Sequence, residues 1–266
     1  MSGENIEYDT KNGTDAIQGY ISKPDDGKKH SGIIVIHEIF GLDEHTKNVA
    51  DRISKMGYIA LAPDLFSSRE LSSKITKEGI KKTMDFIMSI PPEMQRDENY
   101  RKEKLDKMDK ETRNIIMGTY ETLLVHRPVK LLTDYLSSGV DYLKSLPDVD
   151  KIGSVGFCFG GGMSLSLGCT GKVDATAVFY GENPKDMDSV QNVKSFLGLY
   201  AGEDKRITSK VPDLLEKLYE YNKPVTLKIY SGAYHAFFND TRPQIYNQKA
   251  AKDAWNMLMN FFKENI

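Results

Sequence analysis

Apolar positions along the chain fall into two alternating kinds of run. Short continuous stretches rich in β-branched and aromatic residues occur at Gly32–His37, Tyr58–Ala62, Ile152–Phe157, Ala175–Tyr180, Phe196–Ala201 and Val225–Tyr230. Runs of this length, apolar without alternation, predict strands buried on both faces of a parallel sheet. Between them, apolar residues recur with helical spacing near His45–Met56, Val129–Leu146, Gly160–Leu167, Val211–Tyr221 and Gln244–Lys263. An earlier stretch, Asp15–Ser22, alternates and predicts an edge strand. Strand and helix in alternation, joined by short links, define an α/β fold with a mainly parallel sheet flanked by helices on both faces.

One segment breaks this rhythm. From Phe66 to Asn114, 22 of 49 residues are charged, with signs balanced and with spaced apolars at Ile80, Met84, Ile87, Met88 and Ile90 interrupted by Pro91-Pro92. The pattern predicts a charged helical insertion over 66–128 within one domain spanning 1–266, long enough to serve as a lid. The formal net charge of −2 and pI near 6.2 argue against nucleic acid or an anionic membrane surface as partner. Two cysteines cannot staple 266 residues, the N-terminus lacks the basic and apolar regions of a signal peptide, and no apolar stretch reaches 18 residues. A cytoplasmic protein with no membrane span is expected.

Ligands in such sheets bind at the carboxyl ends of the strands, and four strand ends carry chemistry. After Ile152–Phe157 comes Gly156-Phe157-Cys158-Phe159-Gly160-Gly161, a Gly-x-nucleophile-x-Gly elbow with cysteine as the nucleophile. The sharp turn lifts Cys158 above the sheet, and the following helix aims its N-terminus at the sulfur, favouring negative charge there. After Phe196–Ala201 comes Gly202-Glu203-Asp204, and after Val225–Tyr230 comes a loop bearing His235. Nucleophile, acid and histidine in that order, each behind a separate strand, follow the α/β-hydrolase triad. The fourth end, His37-Glu38-Ile39-Phe40-Gly41, lies where that fold supplies an oxyanion donor. The backbone N–H groups of Ile39 and Phe159 are the candidates. His37, on the opposite side of the strand from Glu38, reads as structural, as does Cys169. The five histidines show no ligand spacing, so no metal is expected.

Together with Ala62-Pro63-Asp64-Leu65-Phe66 and Gly232-Ala233-Tyr234-His235-Ala236-Phe237, these motifs resemble the dienelactone hydrolase family over about residues 32–238. The resemblance implies hydrolysis of enol-lactones by a Cys158–His235–Asp204 triad without a cofactor, with Glu38 matching the family's active-site glutamate. It further implies that substrate displaces this glutamate, which takes the thiol proton as the thiolate forms; until then a nearby carboxylate opposes the thiolate. The chain departs from the family at the arginines that bind a substrate carboxylate. The position four residues after His235 is Asn239, the nearest arginine is Arg242, and Arg69 is the candidate for the second role. The expected substrate is therefore a small carboxylic ester or lactone. A thioesterase with the same triad and a sensor that holds a ligand covalently without turnover are the alternatives.

Overall fold

The computed structural model describes residues 3–266 apart from Asn12, Thr14, Pro92, Glu93, Gln95, Arg96 and Asp148. Residues 1–65 and 129–266 form one compact unit, and residues 66–128 form a second.

The first unit is built on an eight-stranded sheet in the order β1-β2-β4-β3-β5-β6-β7-β8. The strands are β1 (Glu4–Asp9), β2 (Ala16–Ser22), β3 (His30–Ile36), β4 (Ile59–Pro63), β5 (Val149–Phe157), β6 (Ala175–Phe179), β7 (Phe196–Ala201) and β8 (Val225–Tyr230). β1 and β2 pair antiparallel, as do β2 and β4, whereas every pair from β4 through β8 is parallel. β4, β6 and β7 are buried throughout and β3 from Gly32 onward, as their unbroken apolar runs require. The expectation of an edge position for 15–22 is corrected: β1 pairs along the whole of β2 and takes the edge. β1 escaped prediction because only Tyr8 in it is buried. β8 also differs from expectation. It is the opposite edge, and most of its side chains are exposed, so its apolar content reflects strand propensity rather than two-sided burial.

Helices cover both faces. α1 (Glu44–Lys55) and α10 (Gln248–Asn265) meet in one core, where Val49, Ala50 and Ile53 join Ala254, Leu258 and Phe262. On the other face lie α7 (Phe159–Gly168) and α9 (Val211–Glu220), packing Leu165, Leu214 and Leu218 against Val178, Phe196 and Tyr200. α6 (Val129–Ser145) buries Leu132, Leu136, Val140 and Leu143. Side-chain caps set several helix starts. Asp43 accepts from Thr46 N–H at 2.9 Å, and Asn247 accepts from Ala250 N–H at 3.1 Å. The Asn247 cap explains why α10 starts four residues after the expected Gln244.

The second unit holds a single turn α2 (Arg69–Ser72), then α3 (Lys77–Met88), α4 (Glu98–Asp106), α5 (Lys110–Tyr120) and a π-helical turn over Glu121–Val125. Its interior is small, centred on Phe86, Ile90 and Ile116. α3 ends just before Pro91, and Pro92 lies outside the described residues. Among the described residues no helix is long and apolar enough to cross a membrane.

Candidate active site

The parallel register brings five carboxyl ends level: Ile36 pairs with Gly156, Phe157 with Phe179, and Ala201 with Tyr230. The residues that follow these ends form one cluster.

Cys158 follows β5 and caps α7 with φ 55° and ψ −116°, a backbone conformation that costs a non-glycine residue about 1–3 kcal/mol. Its neighbours hold it there. Its N–H donates to Phe179 O at 3.0 Å, and its carbonyl accepts from Gly161 N–H at 3.0 Å. The glycines of the elbow are required by close approach. A Cβ on Gly160 would lie 2.8 Å from the carbonyl carbon of Ile36, and nearer still to the carbonyl oxygens of Ile36 and His37. α7 can seat against β3 only without that atom.

His235 sits in the loop after β8. Its Nδ1–H donates to Asp204 Oδ2, because a carboxylate can only accept, and Cys158 is the other side chain that acts on the imidazole. Burial pulls the His235 pKa down, but the bonds to Asp204 and Cys158 outweigh it, and the group is pushed up to about 10. Burial raises the Asp204 carboxyl, yet the His235 contact prevails and holds it below its ordinary value. Asp204 also caps the short α8 (Lys205–Thr208) through Ile207 N–H at 3.3 Å, which fixes its rotamer. The acid and histidine loops are tied by their backbones, Gly202 N–H to Tyr230 O at 2.9 Å and Glu203 N–H to Ala233 O at 3.0 Å.

Glu38, after β3, is buried, with Tyr180 Oη donating to its Oε1 at 3.5 Å and Arg242 Nη1 4.0 Å from Oε2. Burial raises its pKa, against the opposing charges of His45, Arg242 and His235. Arg242 rests 5.7 Å from the centre of the Phe40 ring, leaving part of its guanidinium open to solvent. Asn239 is buried, and its Oδ1 accepts from Thr241 N–H at 3.1 Å and Thr241 Oγ1 at 2.7 Å, so its side chain holds a turn of the histidine loop. Arg69 lies at the start of α2 in the second unit. Ile39 follows Glu38 in the β3 loop. Phe159 is the first residue of α7, where backbone N–H groups have no intrahelical acceptor.

One member of the cluster escaped the sequence. Tyr180, the residue after β6, is fully buried at φ 42°. Its ring meets His235 edge-on at 5.1 Å, and burial, reinforced by the neighbouring Glu38 carboxylate, holds its hydroxyl protonated. The sequence signal was a tyrosine at the end of an apolar run, Ala175–Tyr180, which by itself points to no site.

A strand-to-helix elbow bearing a nucleophilic residue, with an acid–histidine pair delivered by the next strand ends of a mainly parallel sheet, defines an α/β-hydrolase. The comparisons agree. A dienelactone hydrolase family model matches residues 17–266. A protein of Saccharolobus solfataricus named, by inference, a carboxymethylenebutenolidase is 38% identical over 252 residues, covering 93% of each chain. Two solved structures are similar at 20% identity. A Klebsiella pneumoniae protein, named by inference a dienelactone hydrolase, has a TM-score of 0.72 with 99% of each chain covered. A dienelactone hydrolase-like promiscuous phosphotriesterase from metagenomic libraries has a TM-score of 0.70, with 100% of this chain and 99% of that one covered. The chain belongs to the dienelactone hydrolase family and is a hydrolase.

Proposed function

We propose that this hydrolase cleaves small carboxylic esters or lactones through a thioester on Cys158. The observation that carries the proposal is the Asp204–His235 hydrogen bond, with Cys158 acting on the same imidazole from the head of α7. Cys158 Sγ attacks the carbonyl carbon, and the oxyanion is received by the N–H groups of Ile39 and Phe159. The carbon–oxygen bond breaks, and the leaving alkoxide or enolate takes a proton from His235. Acylation removes the charge from sulfur, and with it one of the two contacts that raise the His235 pKa. The imidazole then accepts the proton of a water that attacks the thioester, and the carbon–sulfur bond breaks to release acid and thiolate. Glu38, raised by burial, takes the thiol proton when substrate arrives and returns it to the thiolate once the acid has left, so the resting sulfur is a thiol and stays protected from oxidation. Arg242, partly open beside Phe40, is placed to attract a substrate carboxylate, while Asn239 supports its loop.

The test is steady-state hydrolysis of p-nitrophenyl acetate and of a neutral enol-lactone. Sustained turnover that is lost in Cys158→Ala supports the reading. A single stoichiometric burst would assign a covalent sensor instead, and full activity in Cys158→Ala would overturn the cysteine mechanism.

A further inference from the structure

His37 is the last place to look for function by exposure, because it is wholly buried. Its contacts nevertheless converge on the oxyanion-binding backbone. The N–H of Leu65, at the end of the strand next to β3, donates to His37 Nε2 at 3.2 Å. A backbone N–H can only donate, so Nε2 carries the lone pair and the ring proton is on Nδ1. That Nδ1–H is bonded to the carbonyl oxygen of Glu38 at 2.5 Å. The Glu38 carbonyl belongs to the same peptide as the Ile39 N–H. In a planar trans peptide the two point in opposite directions, so fixing one aims the other. Gly41 N–H also donates to this carbonyl, at 3.3 Å, from within the loop itself. The His37 ring also stacks on Phe159 at 6.1 Å and 18°, and Phe159 supplies the second candidate donor. One buried ring, shut off from solvent, thus touches both halves of the candidate oxyanion site.

We infer that His37 is a positioning residue: its Nδ1–H, aimed by the Leu65 N–H, orients the Glu38–Ile39 peptide so that the Ile39 N–H faces the developing oxyanion. The inference rests on the thioester reading above, and extends it to a side chain that meets no substrate. Burial keeps the ring neutral, which the two bonds require, since an imidazolium would have to break the Leu65 contact.

Two substitutions separate the bonds. In His37→Asn the amide nitrogen takes the place of Nδ1 and keeps the donation to Glu38. In His37→Gln the amide oxygen takes the place of Nε2 and keeps the Leu65 bond, but the donation to Glu38 is lost. Removing an oxyanion donor costs about 10²–10³ in kcat, and misaiming one costs part of that. His37→Gln should lower kcat for p-nitrophenyl acetate roughly 10- to 100-fold with KM within about twofold, and His37→Asn should stay within about threefold of wild type. Alkylation of Cys158 by iodoacetamide, a displacement that forms no oxyanion, should proceed at the wild-type rate in both. Parallel losses of hydrolysis and alkylation, or the reverse order of the two variants, would overturn the inference. A histidine ¹⁵N spectrum of the unsubstituted protein needs no variant to fold, and must show His37 protonated at Nδ1; protonation at Nε2 alone refutes the idea. Activity lost in Cys158→Ala but intact in His37→Gln removes this inference and leaves the thioester reading standing. Activity intact in Cys158→Ala removes both.

Discussion

Gly160→Ala probes how tightly the elbow must press on the sheet. The added methyl carbon would sit 2.8 Å from the Ile36 carbonyl carbon and closer to the Ile36 and His37 oxygens. Carbon and carbonyl oxygen normally approach to about 3.3 Å, so the first turn of α7 has to retreat by roughly 1 Å. Both oxygens are backbone atoms at the end of a central strand, so neither can swing aside. Overpacking of this kind costs about 1–3 kcal/mol, against which alanine returns up to about 1 kcal/mol of helix propensity. A net loss of about 1–2 kcal/mol lowers Tm by roughly 2–8 °C for a domain of this size. Function should suffer more than stability. A shift of about 1 Å at Cys158 and the Phe159 N–H takes the reacting atoms out of line, a misplacement worth about 10²-fold in rate. Gly162 is the internal control, since a Cβ there meets Glu182 O at 3.4 Å, ordinary contact. Thermal melts and p-nitrophenyl acetate hydrolysis of both variants decide the matter. Gly160→Ala with wild-type Tm and kcat refutes the steric argument, and a Gly162→Ala as damaged as Gly160→Ala refutes its localisation.

Asp204→Asn should reduce kcat by about 10³–10⁴-fold, because the amide no longer selects the Nδ1–H form of His235, with thiol alkylation near neutral pH slowed as well. The same variant has a stability signature. The His235 pKa is raised in the folded state, so its contribution is complete below its ordinary value near 6.5 and fades as pH rises through about 10. The Tm gap between wild type and Asp204→Asn should therefore be widest near pH 6 and narrow by pH 10, and a gap that grows with pH contradicts the pair as described. Glu38→Gln removes the buried carboxyl that opposes thiolate formation; alkylation of the resting enzyme should accelerate several-fold while ester turnover falls, and an unchanged pH dependence of alkylation would dismiss the gating role. Arg242→Ala should raise KM about tenfold or more for a carboxylate-bearing lactone and less than about threefold for a neutral aryl ester, as loss of a charge-assisted contact requires; equal effects on both would show that Arg242 serves only Glu38.

The parts of the fold that sequence revealed are those in which one physical demand dominates. β3, β4, β6 and β7 are covered on both faces, and two-sided burial writes itself as an unbroken apolar run. At the edges two demands compete. β1 has one buried position in six, too few for a pattern, and its omission moved β2 to the edge in the sequence reading. The site divides along the same line. The elbow was legible because close approach leaves only glycine at 156 and 160, and Cys158 stands between them. Asp204 and His235 were legible through their order behind separate strands. Tyr180 was not, nor was the positioning role inferred for His37, because each rests on a backbone or hydrogen-bond geometry with no residue pattern of its own: a positive φ in one, and a ring proton directed by Leu65 in the other.

These unseen features share a cause. Among the described residues, four non-glycines have positive φ, and three of them, Cys158, Tyr180 and Ala236, lie at the carboxyl ends of the sheet within or beside the cluster. At about 1–3 kcal/mol each, this is strain the rest of the molecule must over-determine. The aromatic packing directly beneath does so. Phe157, Phe179 and Phe238 pack with ring centres 4.8–5.3 Å apart, and Phe237 sits 5.4 Å from Tyr180, so each strained residue is a neighbour in sequence of a fully or nearly fully buried ring. The same rings fix the three loops relative to one another: Phe157 precedes the nucleophile, Phe179 precedes Tyr180, and Phe237 and Phe238 follow the histidine. Hydrophobic burial is therefore what holds the polar site in register, and the conformations least favourable to an isolated chain are found where the core beneath them is densest in aromatic contacts. Such an arrangement keeps the sulfur, the imidazole and the candidate oxyanion peptides in a fixed geometry before substrate arrives, which is the condition under which electrostatic stabilisation of an oxyanion requires no reorganisation at the moment of reaction.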